Sequence, residues 1–280
     1  MAAIALSFCA SLCWGMSDFA AGLKSRRVGV LTVLTWVEGS GLIVVMAIIA
    51  ATGEPLPDGR TALYAALAGT CGIAALGTFY RALSLGTMSI VAPISATGVL
   101  IPVVVGIATG DTLSLLIGVG FAVTIGGVLL ASREEVGELD SGGPNRRAIL
   151  LAVGAAVGFG LYFTFADVAA DGSVLWLLAA GRIVALPFII GLAARNSQPI
   201  VPAFEDRWQL LLIGCADLAA TGLYALATTR GALSVVSVIG ALYPVVTVLL
   251  ARGLLKERLS RSQAVGVMLA FAGIAAVCAG

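Results

Sequence analysis

Histidine does not occur in this 280-residue chain, which removes the commonest general base and the commonest metal ligand together. Neither a Ser-His hydrolase nor a histidine-built membrane metalloenzyme is expected. A GxxxxGK[ST] phosphate loop is also missing, so the chain has no Walker site with which to hydrolyse nucleotide. The five cysteines, Cys9, Cys13, Cys71, Cys215 and Cys278, stand in apolar runs without CxxC spacing, as small hydrophobes do. No metal and no cofactor is expected. Charge is scarce as well: 11% of residues are charged and 60% hydrophobic, with a mean hydropathy of +1.07. A soluble domain is nearer half apolar and a quarter charged. This much apolar surface exceeds what a water-soluble core can hide, so the sequence is that of an integral membrane protein. The net charge of +1 gives no field that would attract nucleic acid.

What is present is a series of long apolar runs. A membrane span needs ~20 mostly apolar residues. About ten such runs occur: Ala3–Gly22, Val30–Ala51, Leu63–Leu83, Met88–Ala108, Leu113–Ala131, Ala148–Ala169, Val174–Ala194, Leu210–Thr229, Leu233–Leu255 and Ala264–Ala279. The first lacks the basic leader of a signal peptide and reads as a span. One long polar stretch, "REEVGELDSGGPNRR" from Arg133 to Arg147, divides the chain as a linker. The expected units are residues 1–132 and 148–280, with 133–147 between them.

The two units repeat. "DTLSLLIGVGFAVTIGGV" from Asp111 matches "ERLSRSQAVGVMLAFAGI" from Glu257 at a constant offset, with Leu113/Leu259, Ser114/Ser260, Val119/Val265, Gly120/Gly266 and Gly127/Gly273 coinciding. "FYRALSLG" from Phe79 aligns with "GLYALATT" from Gly222, and Pro102 and Pro244 follow at nearly equal distances. Five helices per unit is an odd number, so the second copy enters the membrane inverted. The charges agree. Lys24, Arg26 and Arg27 follow the first span, whereas Asp167 and Asp171 mark its counterpart; Asp111 closes the fourth, whereas Arg252, Lys256, Arg258 and Arg261 close the ninth. Basic loops mark the cytoplasmic side, and loops whose charge swaps between copies indicate inverted-topology repeats. Thirteen of the 16 Lys and Arg residues fall in odd-numbered connections, which puts those loops in the cytoplasm and both termini outside.

Polar groups inside spans are the candidates for function, because hydrocarbon selects against them. Ser7, Ser11, Trp14 and Asp18, with Ser17 adjacent, share one stripe of the first helix; Asp217, Thr221, Tyr224 and Thr228 share one of the eighth. The hydroxyls serve either as interhelical glue or as a polar wall. Asp18 lies about one turn from the basic end of its helix, so it faces either an interior cavity or that rim. Asp217 reads as a functional acid near the start of its helix. Glu38 and Arg182 occupy matching places in the second and seventh helices, as a structural ion pair or as a pair for which substrate or a proton competes. Tyr162 places an aromatic wall near the midplane. Pro93, Pro102 and Pro244 interrupt apolar runs, each freeing a carbonyl. Arg81 snorkels, Trp176 and Trp208 belong to interfacial belts, and the paired glycines permit close helix contact.

"ALYPVVTVLLARGLLKERLSRSQAVGVMLAFAGIAAV" closely resembles the EamA-type branch of the drug/metabolite transporter superfamily, carried by Leu242, Pro244, Glu257, Arg258, Leu259, Gly266 and Gly273. "WGMSDFAAG" resembles the first helix of the same group. The first half departs from this pattern in having Asp111 where the second has Glu257, with a Pro-to-acid spacing four residues shorter. The resemblance implies an all-α membrane protein of ten helices in two inverted five-helix repeats, with Pro244 lining the cavity, and it favours export. It does not imply a substrate. The expectation is a secondary transporter in the cell membrane, not an enzyme, exporting a small metabolite or toxicant by alternating access. Interior acids (Asp18, Glu38, Asp217) outnumber interior bases, which favours a cationic or zwitterionic substrate and suggests proton coupling. Monomer and homodimer are both compatible with the sequence. The alternative is a lipid or lipid-carrier flippase on the same fold.

Overall fold

Residues 1–110, 114–131, 146–255 and 260–279 are described by the computed structural model, and all their regular structure is helical. In a bilayer every backbone N–H and C=O must be satisfied within the segment, which a helix achieves alone. In chain order the helices are α1 Ala2–Ser25, α2 Val30–Thr52, α3 Gly59–Leu85, α4 Met88–Ala96, a 3₁₀ turn Thr97–Val99, α5 Leu100–Thr109, α6 Leu115–Ala131, α7 Arg146–Gly172, α8 Val174–Arg195, α9 Phe204–Thr228, α10 Leu233–Gly240, α11 Tyr243–Leu254 and α12 Arg261–Ala279. Among the described residues seven stretches are long and apolar enough to cross a membrane: α1, α2, α3, α7, α8, α9 and Leu233–Leu254 across α10 and α11. Ile94–Thr109 and Leu115–Gly127 are shorter apolar helices. Asp111, Leu113, residues 133–145, Lys256, Glu257, Arg258 and Leu259 lie outside the described residues, so the linker and the Glu-Arg-Leu motif have no structural account.

Three expectations need correction. The fourth run is not one helix: α4 gives way to a 3₁₀ turn before α5 resumes. Pro102 has no N–H to bond the carbonyl four residues back, at Gly98. Gly98 is also pressed against α7, where an added Cβ would stand 2.8 Å from the Ala156 carbonyl carbon. The ninth run breaks between α10 and α11, with Pro244 in the first turn of α11, where a missing N–H is tolerated. Most relevant to function, the eighth helix begins at Phe204, not Leu210. Glu205 and Asp206 occupy its first turn, where the helix dipole favours acids, and Asp206 pairs with Lys24 at the end of α1. Asp217 is therefore the fourteenth of 25 residues, at the middle of α9 and not near its start.

Helix packing follows small residues. α3 lies on α7 and α8, and α9 lies on α1 and α2; α2 meets α8, and α6 pairs with α12. A Cβ on Gly181 of α8 would stand 3.0 Å from the Gly69 Cα of α3, and one on Gly214 of α9 would stand 2.6 Å from the Val37 carbonyl oxygen of α2. Gly273 of α12 approaches the Gly120 carbonyl of α6 in the same way, at 2.6 Å for an added Cβ. Backbones this close gain dispersion that larger side chains would block.

The connections are tied at both ends of the bundle. Trp36 Nε1 donates to the Ile200 carbonyl at 2.9 Å and Thr32 Oγ1 to the Pro199 carbonyl at 2.6 Å. Ser173 Oγ donates to Glu54 at 2.7 Å, and Trp176 Nε1 donates to the Pro55 carbonyl at 2.6 Å. Gly29 takes φ 90° where the chain turns into α2, a conformation that an L side chain rarely adopts. Arg81 and Trp208 are exposed, in keeping with snorkelling and belt roles.

Candidate functional site

At mid-helix depth, α1, α2, α3, α7, α8, α9 and the start of α11 enclose a cavity. Space open to the centres of water-sized molecules totals about 70 Å³. At ~10–15 Å³ per water this admits a handful of waters or one compact solute.

Arg182 organises one wall. Its Nη2 donates to Asp217 Oδ2 at 2.8 Å, its Nε lies 3.5 Å from Glu38 Oε2, and its Nη1 donates to the Leu178 carbonyl at 3.0 Å. One guanidinium thus bridges α2, α8 and α9. All three side chains are buried. Gly41 makes the slot for it, since a Cβ there would stand 3.2 Å from Arg182 Cζ. Arg182 Nε has no hydrogen-bond partner, so its contact with Glu38 is electrostatic only. Because Glu38 and Arg182 are each the ninth residue of their helix, they meet at one level.

Asp18 also faces the cavity and is 5% exposed. The basic end of α1 is engaged elsewhere: Lys24 pairs with Asp206, and Arg26 donates to the carbonyls of Leu83 and Gly86. Among the described residues no lysine or arginine forms an ion pair with Asp18. Tyr80, fully buried, lies against Asp18, and Tyr243 lines the same cavity with a hydroxyl that has no hydrogen-bond partner among the described residues. The choice between rim and cavity that the sequence left open falls to the cavity.

Aromatic rings supply much of the remaining wall. Trp14 stacks obliquely on Phe163, at 5.7 Å between centroids, and on Tyr224 at 5.4 Å. Phe159 meets Tyr243 edge-on at 6.2 Å, and Tyr162 meets Phe163 at 5.3 Å. Such geometries bring ring edges and faces into favourable contact.

Of the candidates read from sequence, Trp14, Asp18, Glu38, Tyr162, Arg182, Asp217 and Thr221 line this one cavity. Ser17, Tyr224 and Pro244 do not. Ser17 donates to the Trp14 carbonyl within its own helix, at 3.1 Å. Tyr224 bonds Ser237 of α10 at 2.9 Å, behind the aromatic wall. Pro244 is buried one residue beyond Tyr243, which takes the lining place. Ser7 acts as glue, donating to the Val236 carbonyl of α10 at 2.7 Å, whereas Ser11 donates to the Phe8 carbonyl within α1 at 2.8 Å. Sequence reading missed the bond between Arg182 and Asp217, the wall residues Phe159, Phe163 and Tyr243, and the glycines Gly69, Gly72 and Gly181. The place of Tyr243 beside a helix-breaking proline was the available signal.

Comparison with known proteins places the chain. The EamA-like transporter family matches residues 1–133 and again residues 146–279. The chain belongs to the EamA-like transporter family. It is therefore an integral membrane protein of a transporter family, and the family's activity is transport, not catalysis. Both matches are to the same family, so the family unit occurs twice. None of the curated proteins matches it. A solved crystal structure of a protein matches with a TM-score of 0.73 at 20% identity, covering 99% of this chain and 98% of the other. At that identity the likeness speaks to the fold alone.

Proposed function

We propose that this EamA-family protein is a secondary transporter that exports a compact cationic or zwitterionic metabolite or toxicant across the cytoplasmic membrane by alternating access. The observation that carries the reading is the mid-helix cavity, where three carboxyl groups and one guanidinium from both family units are gathered out of water. Ionisable groups at such depth are rare because they are costly, and they mark solute and ion pathways. In this reading the broken runs Met88–Thr109 and Leu233–Leu254 each count as one span, giving ten. The units 1–132 and 148–280 are inverted copies, with 133–147 linking them. Helix pairing supports this: α1 on α9 matches α7 on α3, and α2 on α9 matches α8 on α3, once the units are exchanged. The basic connections are taken as cytoplasmic and both termini as external. Trp14, Asp18, Glu38, Tyr162, Arg182, Asp217 and Thr221 contact the solute, while Ser17, Tyr224 and Pro244 support them from behind.

The test is small-molecule profiling of medium from cells overproducing the protein, beside cells making Asp217→Asn at equal membrane abundance. Export predicts a few solutes enriched by the unmodified protein and not by the variant. Equal media, with both proteins in the membrane, would reject export of a soluble solute. Proton coupling belongs to the same reading: in proteoliposomes an imposed pH gradient should accelerate transport of an enriched solute, and indifference to it would remove that element.

A further inference from the structure

Glu38 and Asp217 share Arg182, but Asp18 has no ion-pair partner among the described residues. Against it lies Tyr80, fully buried, and the same cavity is lined by Tyr243, 4% exposed, whose hydroxyl has no hydrogen-bond partner among the described residues. A carboxylate and an orphan hydroxyl taken out of water are both costly, and their presence on the wall of one cavity points to a missing donor. Tyr243 is carried into position by the break between α10 and α11, directly before Pro244.

We propose that Asp18 and Tyr243 form a subsite for a primary ammonium group, with Tyr80 positioning the Asp18 carboxylate. This rests on the transport reading and names the substrate group that the cavity holds. A primary ammonium carries three N–H donors and no acceptor. The two Asp18 carboxylate oxygens and the Tyr243 hydroxyl oxygen offer three acceptors, while the Tyr80 hydroxyl donates to Asp18 from behind. A quaternary ammonium has no N–H to give. The rings of Trp14 and Phe159 on the same cavity add faces that attract a cation. The Arg182 cluster then remains as a fixed ion network on the opposite acids, and the positive head of the solute goes to Asp18.

The experiment uses the purified full-length protein in detergent, titrated at constant ionic strength with n-butylammonium, tetramethylammonium or sodium chloride, following thermal stabilisation and calorimetric affinity. n-Butylammonium is expected to bind. Tyr243→Phe should weaken it about tenfold, the worth of one hydrogen bond to a charged group, and leave tetramethylammonium unchanged. Asp18→Asn should weaken both roughly a hundredfold, as loss of a charged acceptor requires. Tyr80→Phe should weaken n-butylammonium in the native background but add nothing to Asp18→Asn, as a residue acting through Asp18 must. Absence of n-butylammonium binding, or equal loss of both amines in Tyr243→Phe, overturns the subsite. So does Asp18-dependent stabilisation by sodium without any by n-butylammonium, which would assign the acid to an alkali cation. If amine binding fails while solute enrichment in medium persists, the subsite is rejected and the transport reading stands.

Discussion

Replacing Arg182 by methionine removes the guanidinium that bridges two buried carboxyl groups while keeping much of its length. The guanidinium donates to Asp217 at 2.8 Å and lies 3.5 Å from Glu38, and all three residues are under a tenth exposed. Removing one partner of a buried ion pair costs ~3–5 kcal/mol, because the remaining charge is left without compensation. The figure applies once here, since the two acids share one cation. For a chain of this size each kcal/mol moves the midpoint by roughly 2–4 °C, so a fall of roughly 6–20 °C is expected in detergent. The cause can be isolated by a triple variant, Arg182→Met with Glu38→Gln and Asp217→Asn, which removes the whole network. A fully neutral cluster costs little relative to an intact one, so most of the lost midpoint should return. Tryptophan fluorescence on heating reads all of these proteins. A triple variant no more stable than Arg182→Met alone would refute the reasoning, because packing and not uncompensated charge would then carry the loss.

Gly181→Val should cost about 1–3 kcal/mol, because its Cβ meets the Gly69 backbone of α3, which cannot yield as a side chain can; Gly191→Ala, with open space around it, should leave the midpoint unmoved or slightly higher. Tyr224→Phe leaves the Ser237 hydroxyl buried without its partner and should cost ~1–3 kcal/mol, whereas Tyr224→Phe with Ser237→Ala should cost less than that single change; an additive pair measured by thermal unfolding would contradict the bond. The Thr61 side chain and backbone N–H hold the Asp58 carboxyl below its usual range where it caps α3. A depressed acid stabilises above its unfolded titration and loses that contribution as pH falls through the folded one. Asp58→Ala should therefore lower the midpoint at neutral pH and converge on the unmodified protein in strong acid.

Much of the site was legible because the bilayer makes polar residues informative: Asp18, Glu38, Arg182 and Asp217 stood out against apolar surroundings, and all four reach the cavity. Period alone could not say which members of a stripe face a cavity and which face a neighbouring helix. Trp14 and Asp18 turn inward, while Ser7, on the same stripe, bonds α10. The ion pairing was half visible. Matching positions brought Glu38 and Arg182 together, but the misplaced start of α9 hid that Asp217 lies at the same depth. That start was obscured because Glu205, Asp206 and Arg207 read as a loop until Asp206 is seen paired with Lys24. The aromatic wall stayed hidden because phenylalanine in an apolar run carries no contrast. The helix breaks were foreshadowed by Pro102 and Pro244, but where the breaks fall depends on which neighbouring backbone presses there.

The position of Trp14 has a spectroscopic consequence. Trp36, Trp176 and Trp208 are near helix ends, with Trp36 and Trp176 tied to connection carbonyls, whereas Trp14 is 8% exposed on the cavity wall between Phe163 and Tyr224. With phenylalanine at the other three positions, the remaining indole emission would originate at the cavity itself. Its colour and quenching would then report filling and emptying of that space directly, with no label attached to the protein.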